Sequence, residues 1–180
     1  PNAMEVMELW RRAVDLHPAK QFGGYQVDAA GVEAQVRAIF NAVKQEQVQY
    51  VNSVICFGRE GGEFMQRIRL PREALQKRSA NCIDGTVLMA SVLEAASLNP
   101  AIVLVPGHAF LAWEVQDGED RWDYLETTLI GSKDFEAAQQ VGRKEAEQYR
   151  AKAQLQNNNR LFRMLAIKAL RVQDGILPME

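Results

Sequence analysis

The sequence predicts an α+β fold in which one long, almost wholly apolar helix packs on an antiparallel sheet, with further helices at the flanks. Three observations predict it. Residues 82–96 carry few polar side chains, chiefly Asp84, Thr86, Ser91 and Glu94, so that helix is packed on most sides. Residues 101–105 form an all-apolar run bounded by Pro106-Gly107, the pattern of a short buried strand. Residues 108–115 and 121–125 flank Gln116-Asp117-Gly118-Glu119-Asp120, in which Asp-Gly is a hairpin turn signal.

The other elements follow in order. Over residues 4–16, Val6, Leu9, Trp10, Ala13 and Leu16 recur at intervals of three and four, one face of a helix that His17-Pro18 closes. Residues 21–28, with Gly23-Gly24, read as a loop. A second helix over about residues 31–45 turns Val32, Val36, Ile39, Phe40 and Val43 inward. Residues 49–57 suit a strand or extended segment, and Gly58, Gly61 and Gly62 mark a loop behind it. Leu70-Pro71-Arg72-Glu73 opens a short helix, with proline early, where its missing N–H costs least. Asn99-Pro100 stops the apolar helix. Beyond Gly131, a surface helix spans roughly residues 134–155, with Phe135, Ala138, Val141 and Ala146 on its drier side. Residues 154–159 are a polar break, and the apolar positions of residues 161–172 fit a strand or a helix equally.

Composition narrows the function classes. The chain has 180 residues, enough for one domain with a real core and no need of metal or disulfide support. With 21 Lys+Arg against 23 Asp+Glu, the net charge of −2 offers no electrostatic footprint for nucleic acid or an anionic membrane. No run reaches the length of a membrane span. Two cysteines, Cys56 and Cys82, are too few for a disulfide framework, and two histidines give no zinc-ligand spacing. A reducing compartment such as the cytoplasm is the simpler assumption. Pro1-Asn2-Ala3 ahead of Met4 reads as a cloning remnant, and the C-terminus reads as the edge of a domain cut from a longer protein.

Cys82 stands where a polar loop gives way to the apolar helix. Helix N-termini present unpaired N–H groups and a partial positive charge, which favour a thiolate and offer donors to an oxyanion. Chain geometry brings a base to it. Fifteen helical residues carry the chain about 22 Å from Cys82, and eight strand residues from Ala101 return it roughly 26 Å. If the strand runs antiparallel to the helix, His108 arrives beside the thiol. If the hairpin turn is centred on Gly118, His108 faces Thr128 and Phe110 faces Glu126, making His108 and Glu126 diagonal neighbours on one face. The order is then thiol, imidazole, carboxylate: Cys82 attacks, His108 moves the proton, and Glu126 holds the imidazole.

Those residues carry a family resemblance. Residues 81–96 (NCIDGTVLMASVLEAA), 105–113 (VPGHAFLAW) and 122–128 (WDYLETT) resemble the cysteine, histidine and acid blocks of the transglutaminase-like superfamily, relatives of the papain-like cysteine proteases. The likeness covers about residues 66–131 and is greatest to bacterial transglutaminase-like domains, through Arg69-Leu70-Pro71, Cys82-Ile83-Asp84 and Gly107-His108-Ala109. Looser likeness extends to VEAQVRAIFNAV at residues 32–43 and GILPM at residues 175–179. The resemblance implies a papain-like core over residues 1–180, with Cys82 as nucleophile, His108 as base and Glu126 as third member. Most relatives have aspartate at that last position. Gln76, six residues before Cys82, matches the spacing of the oxyanion-hole glutamine of papain-like enzymes; the N–H of Cys82 is the other donor.

Each residue also has a structural explanation. Free cysteines are usually small buried hydrophobes, and Cys56, in an apolar run, is assigned to the core. His17 caps a helix or faces solvent. Asp123 is the competing acid, but it lies on the opposite strand face from Glu126. Asp84, in the first helical turn, is explained by capping. Arg67 and Arg69 either bind a substrate carboxylate or staple the loop to Asp84, and Trp113 and Trp122 read as core or groove wall.

The expected function is cysteine-dependent acyl transfer on a peptide or protein amide, by a peptidase or amidase or by a transglutaminase; nothing in the sequence fixes the acceptor. No cofactor is expected, and no calcium loop is visible. The rival is a non-catalytic interaction or regulatory module that retains the fold. Its support is the lack of a substrate-cleft signature, and against it stand competent side chains at all three positions.

Overall fold

A computed structural model of the chain describes residues 1–52, 58–60, 63–65 and 67–178. Helices α1 (Met4–Leu16) and α2 (Ala29–Gln45) form where the apolar periodicity places them. His17 leaves the helical region ahead of Pro18 and caps α1, its N–H still bonded to Ala13 O at 3.1 Å. The Asp28 carboxylate accepts the Gly31 N–H at 2.8 Å, so α2 begins earlier than its apolar face suggests.

The extended stretch expected over residues 49–57 is described only at its start. There, β1 (Gln49–Tyr50) pairs in parallel with β4 (Ser79–Ala80). Cys56, expected in the core, lies outside the described residues. Gly58, expected in a loop, instead begins β2 (Gly58–Glu60), which pairs antiparallel with β3 (Glu63–Met65). Glycine weakens a strand without forbidding it, and three paired residues on each side decide the conformation here. Helix α3 (Pro71–Lys77) starts on its proline and closes on Arg78 in the left-handed region, φ 47°.

Helix α4 (Cys82–Ala95) carries the core. Its first turn is a capping box in which Asn81 Oδ1 accepts the Asp84 N–H at 2.9 Å and Asp84 Oδ2 accepts the Asn81 N–H at 3.2 Å. Asp84 is also the staple: its Oδ1 accepts the Arg69 N–H at 2.8 Å, and the Arg69 guanidinium lies 3.7 Å from its Oδ2. Arg67 pairs with Glu73 instead, at 2.8 Å.

A four-stranded antiparallel sheet packs on α4, in the order β7 (Trp122–Leu125), β6 (His108–Glu114), β5 (Pro100–Val105), β8 (Arg163–Ala166). The ambiguous stretch over residues 161–172 resolves into both alternatives, edge strand β8 followed by helix α6 (Ile167–Val172). Pro106-Gly107 joins β5 to β6 in a two-residue turn whose second position has φ +75°, a conformation glycine adopts without strain. The β6–β7 register pairs Leu111 with Leu125 and Trp113 with Asp123, the alignment expected for a turn centred on Gly118. On one face of the sheet, Leu111, Trp113 and Leu125 join the core built from α1, α2 and α4. On the other, Val103, Phe110, Ala112 and Tyr124 pack against Ala146 of helix α5 (Phe135–Leu155). Among the described residues no helix is long and apolar enough to cross a membrane.

α5 can approach β7 this closely because of Gly142. A Cβ there would stand 2.7 Å from Leu125 N and 2.9 Å from Leu125 Cα, backbone atoms that cannot rotate away. Alanine improves helix propensity by about 1 kcal/mol, whereas overpacking against backbone costs about 1–3 kcal/mol or more. Gly142→Ala is therefore expected to lower the denaturant midpoint; an unchanged or raised midpoint would show that α5 sits less tightly on β7.

Candidate active site

Three elements converge at the end of the sheet where β6 begins. α4 brings Cys82 at its first position, β6 brings His108 at its start, and the chain leaving β7 brings Glu126. The sheet register explains the last two. His108 and Phe110 lie on one face of β6, their rings stacked at 6.1 Å, and Glu126 follows Leu125, the partner of Leu111. His108 Nε2 then meets Glu126 Oε2 at 2.7 Å. With Nε2 so occupied, Nδ1 is the ring atom left for Cys82, whose thiol the imidazole lowers.

Glu126 is held from behind. Its Oε1 accepts the Thr128 N–H at 2.9 Å and the Thr128 hydroxyl at 2.6 Å, and its own N–H donates to Ala138 O of α5 at 3.0 Å. Its side chain is only 4% exposed. A second buried polar knot ties α4 to this corner: the Thr86 hydroxyl donates to Cys82 O at 2.7 Å and lies 3.1 Å from the Thr127 hydroxyl.

The charges fit an ion pair between thiolate and imidazolium. Burial pushes the Cys82 thiol up, but hydrogen bonds from His108 and from the Ala109 N–H, the nearby imidazolium charge, and the Ile83 N–H outweigh it and hold the thiol below its ordinary range. His108 is raised to about 10, first by its bond to Cys82 and then by Glu126. Burial works against ionised Glu126, but His108 and Thr128 outweigh it and keep the carboxyl below its ordinary value. The pair is therefore bounded on both sides. It is lost on the acid side as the thiol protonates, and on the alkaline side as pH rises through about 10 and the imidazolium deprotonates.

The remaining sequence candidates are placed as follows. Gln76 is exposed on α3, and its side chain makes no hydrogen bond among the described residues. Cys82 N–H is the oxyanion candidate left at the helix start: Asp84 N–H and Gly85 N–H are taken by Asn81, and Ile83 N–H is directed at the sulfur. Asp123 is turned away from His108 and bonds to Arg143 at 2.7 Å. Trp113 is fully buried, and Trp122 donates to Asp120 at 2.7 Å.

Two residues that the sequence did not single out stand at the site. Tyr50, half exposed on β1, is raised by partial burial and by the nearby Cys82 and Glu126 charges. Glu145 of α5 reaches within 3.7 Å of His108 Nε2. Its signal was its place on the inward stripe with Ala138, Gly142 and Ala146, obscured by the charged run around it. Glu145, Glu126 and His108 each bring a donor atom within 4.8 Å of the others, close enough to suggest a cation. However, the 2.7 Å separation of His108 and Glu126 is that of a hydrogen bond. A zinc ion would need that pair to open by about half an ångström or more. Within the cluster, His108 and Glu126 are joined by that hydrogen bond, and Glu145 stands 3.7 Å from His108 Nε2.

In Glu126→Gln the imidazolium loses its charged acceptor, so the His108 ring should titrate lower by about 1–3 pH units. Ring-nitrogen chemical shifts followed against pH check this, and a titration identical to wild type would contradict it.

No protein-family model matches the chain, and no curated protein matches it.

Proposed function

We propose that this chain is a cysteine-dependent acyl-transfer enzyme acting on amide bonds, with Cys82, His108 and Glu126 as its triad. The observation that carries the reading is the His108–Glu126 hydrogen bond of 2.7 Å, beside a helix whose first residue is Cys82. The helix bearing cysteine on a sheet bearing histidine and acid also agrees with a papain-like core, as does the resemblance of residues 81–96, 105–113 and 122–128 to the transglutaminase-like superfamily.

The Cys82 thiolate attacks the amide carbonyl carbon, and the oxygen takes up the negative charge, facing the Cys82 N–H at the helix start. His108 gives its Nδ1 proton to the leaving amine, the C–N bond breaks, and a thioester remains. Water or a second amine then gives a proton to His108 as it attacks the thioester, and the thiolate leaves. Water makes the enzyme a peptidase or amidase; an amine makes it a transglutaminase. Glu126 stays ionised throughout and holds the imidazole with Nδ1 toward the sulfur.

One observation favours the second reading, a non-catalytic interaction or regulatory module. Cavities of about 620 Å³, along Ile68, Leu70, Val87 and Ile102, and of about 540 Å³, along Trp122, Tyr124 and Arg150, are lined by residues other than the triad.

Iodoacetamide alkylation separates the two. The rate is read on the Cys82 peptide by mass spectrometry, so that Cys56 does not contribute. Wild-type Cys82 should react with an apparent pKa below the ordinary value of about 8.5. Near neutral pH it should outpace Cys82 in His108→Ala by about tenfold or more. His108→Gln, which keeps a donor for Glu126, serves if the alanine variant fails to fold. An ordinary thiol profile, unchanged in these variants, would refute the enzyme reading.

A further inference from the structure

We infer that Glu145 is a positioning residue of this site, a second carboxyl group that shares a proton with Glu126 beside His108 Nε2 and thereby fixes the orientation and charge of the His108–Glu126 pair. The inference rests on the acyl-transfer reading. Its ground is geometric. Glu145 Oε2 is shielded from solvent and has no hydrogen bond of ordinary geometry, yet it stands 3.7 Å from His108 Nε2. A buried carboxylate oxygen left so costs free energy unless a proton is placed on or beside it.

Glu126 can accept that proton. Both of its Oε1 contacts are with Thr128, while Oε2 takes only the His108 donor and keeps a lone pair free. Glu145, when protonated, donates there. It is held in place by the close seat of α5 on β7, since Gly142, one turn earlier, rests on the Leu125 backbone and Ala138 O receives the Glu126 N–H.

Other charges near α5 are committed elsewhere. Asp123 of β7 is bonded to Arg143, Arg37 of α2 bonds Glu33 and Glu136, and Arg150 lies over Tyr124 and Phe162. The charged groups that act on Glu145 are thus Glu126 and His108. Burial first, and then Glu126, raise Glu145 to about 7. Below that pH the carboxyl is a neutral donor to Glu126; above it, a second negative charge supports the imidazolium, whose own proton is lost only near 10.

The test follows the His108 ring-nitrogen shifts of the full chain against pH, with a chelator present so that a stray cation cannot mimic the effect. In wild type, a first inflection near pH 7 precedes loss of the imidazolium. Glu145→Gln, which keeps the shape and the donor but cannot ionise, should lack that inflection and lose the ring proton about 1 pH unit lower. Identical curves in wild type and Glu145→Gln would overturn the inference. So would a first inflection that persists in the variant, since another group would then be its source. Alkylation of Cys82 near neutral pH tells the two claims apart: an unactivated thiol in wild type sinks the acyl-transfer reading itself, whereas an activated thiol with unchanged His108 curves sinks only the role of Glu145.

Discussion

The hydrogen bond between His108 and Glu126, 2.7 Å long, joins a residue at the start of one strand to a residue just past the end of its neighbour. It exists only in one register. A slip of one residue would send Glu126 to the opposite face of the sheet, because side chains alternate along a strand. The register is held by the turn around Gly118, whose φ of +77° glycine adopts freely, and by the Leu111–Leu125 and Trp113–Asp123 pairs. The turn far from the site and the chemistry at it are therefore one constraint.

Burying Glu126 as an anion requires compensation, since an isolated buried carboxylate is strongly disfavoured. Thr128 supplies two hydrogen bonds and His108 a third. The arrangement runs outward as well: the Glu126 carboxylate raises the imidazole, and the imidazole lowers the thiol at a helix start that already favours negative charge. The Asn81–Asp84 capping box gives that start its shape, and Arg69 pins Asp84 by its side, so the acidic residue nearest Cys82 in sequence is turned to structure.

How much of this was legible in the sequence depended on the range of the interaction concerned. The Cys82 helix, the Pro106-Gly107 turn and the hairpin register follow from local periodicity and turn chemistry, and they suffice to bring His108 and Glu126 together. Residues 161–172 gave no single period because an edge strand passes directly into a short helix there. The two-residue parallel bridge of β1 with β4, which pairs Tyr50 with Ala80 just ahead of Cys82, is too short to leave a pattern. Glu145 was hidden for a different reason. It sits in a charged run on a helix read as surface, and only the tight contact of Gly142 with Leu125 turns that residue toward His108. Gln76 had the right spacing along the chain, but α3 leaves it exposed.

The central claim is that Cys82 and His108 rest as thiolate and imidazolium. The most direct measurement is the pH titration of thiolate ultraviolet absorbance, taken as the difference between wild type and Cys82→Ser. The account predicts that the Cys82 thiolate forms below the ordinary thiol value of about 8.5 and that the midpoint moves up when Glu126 is replaced by glutamine. A midpoint at or above the ordinary value, indifferent to Glu126, would contradict it.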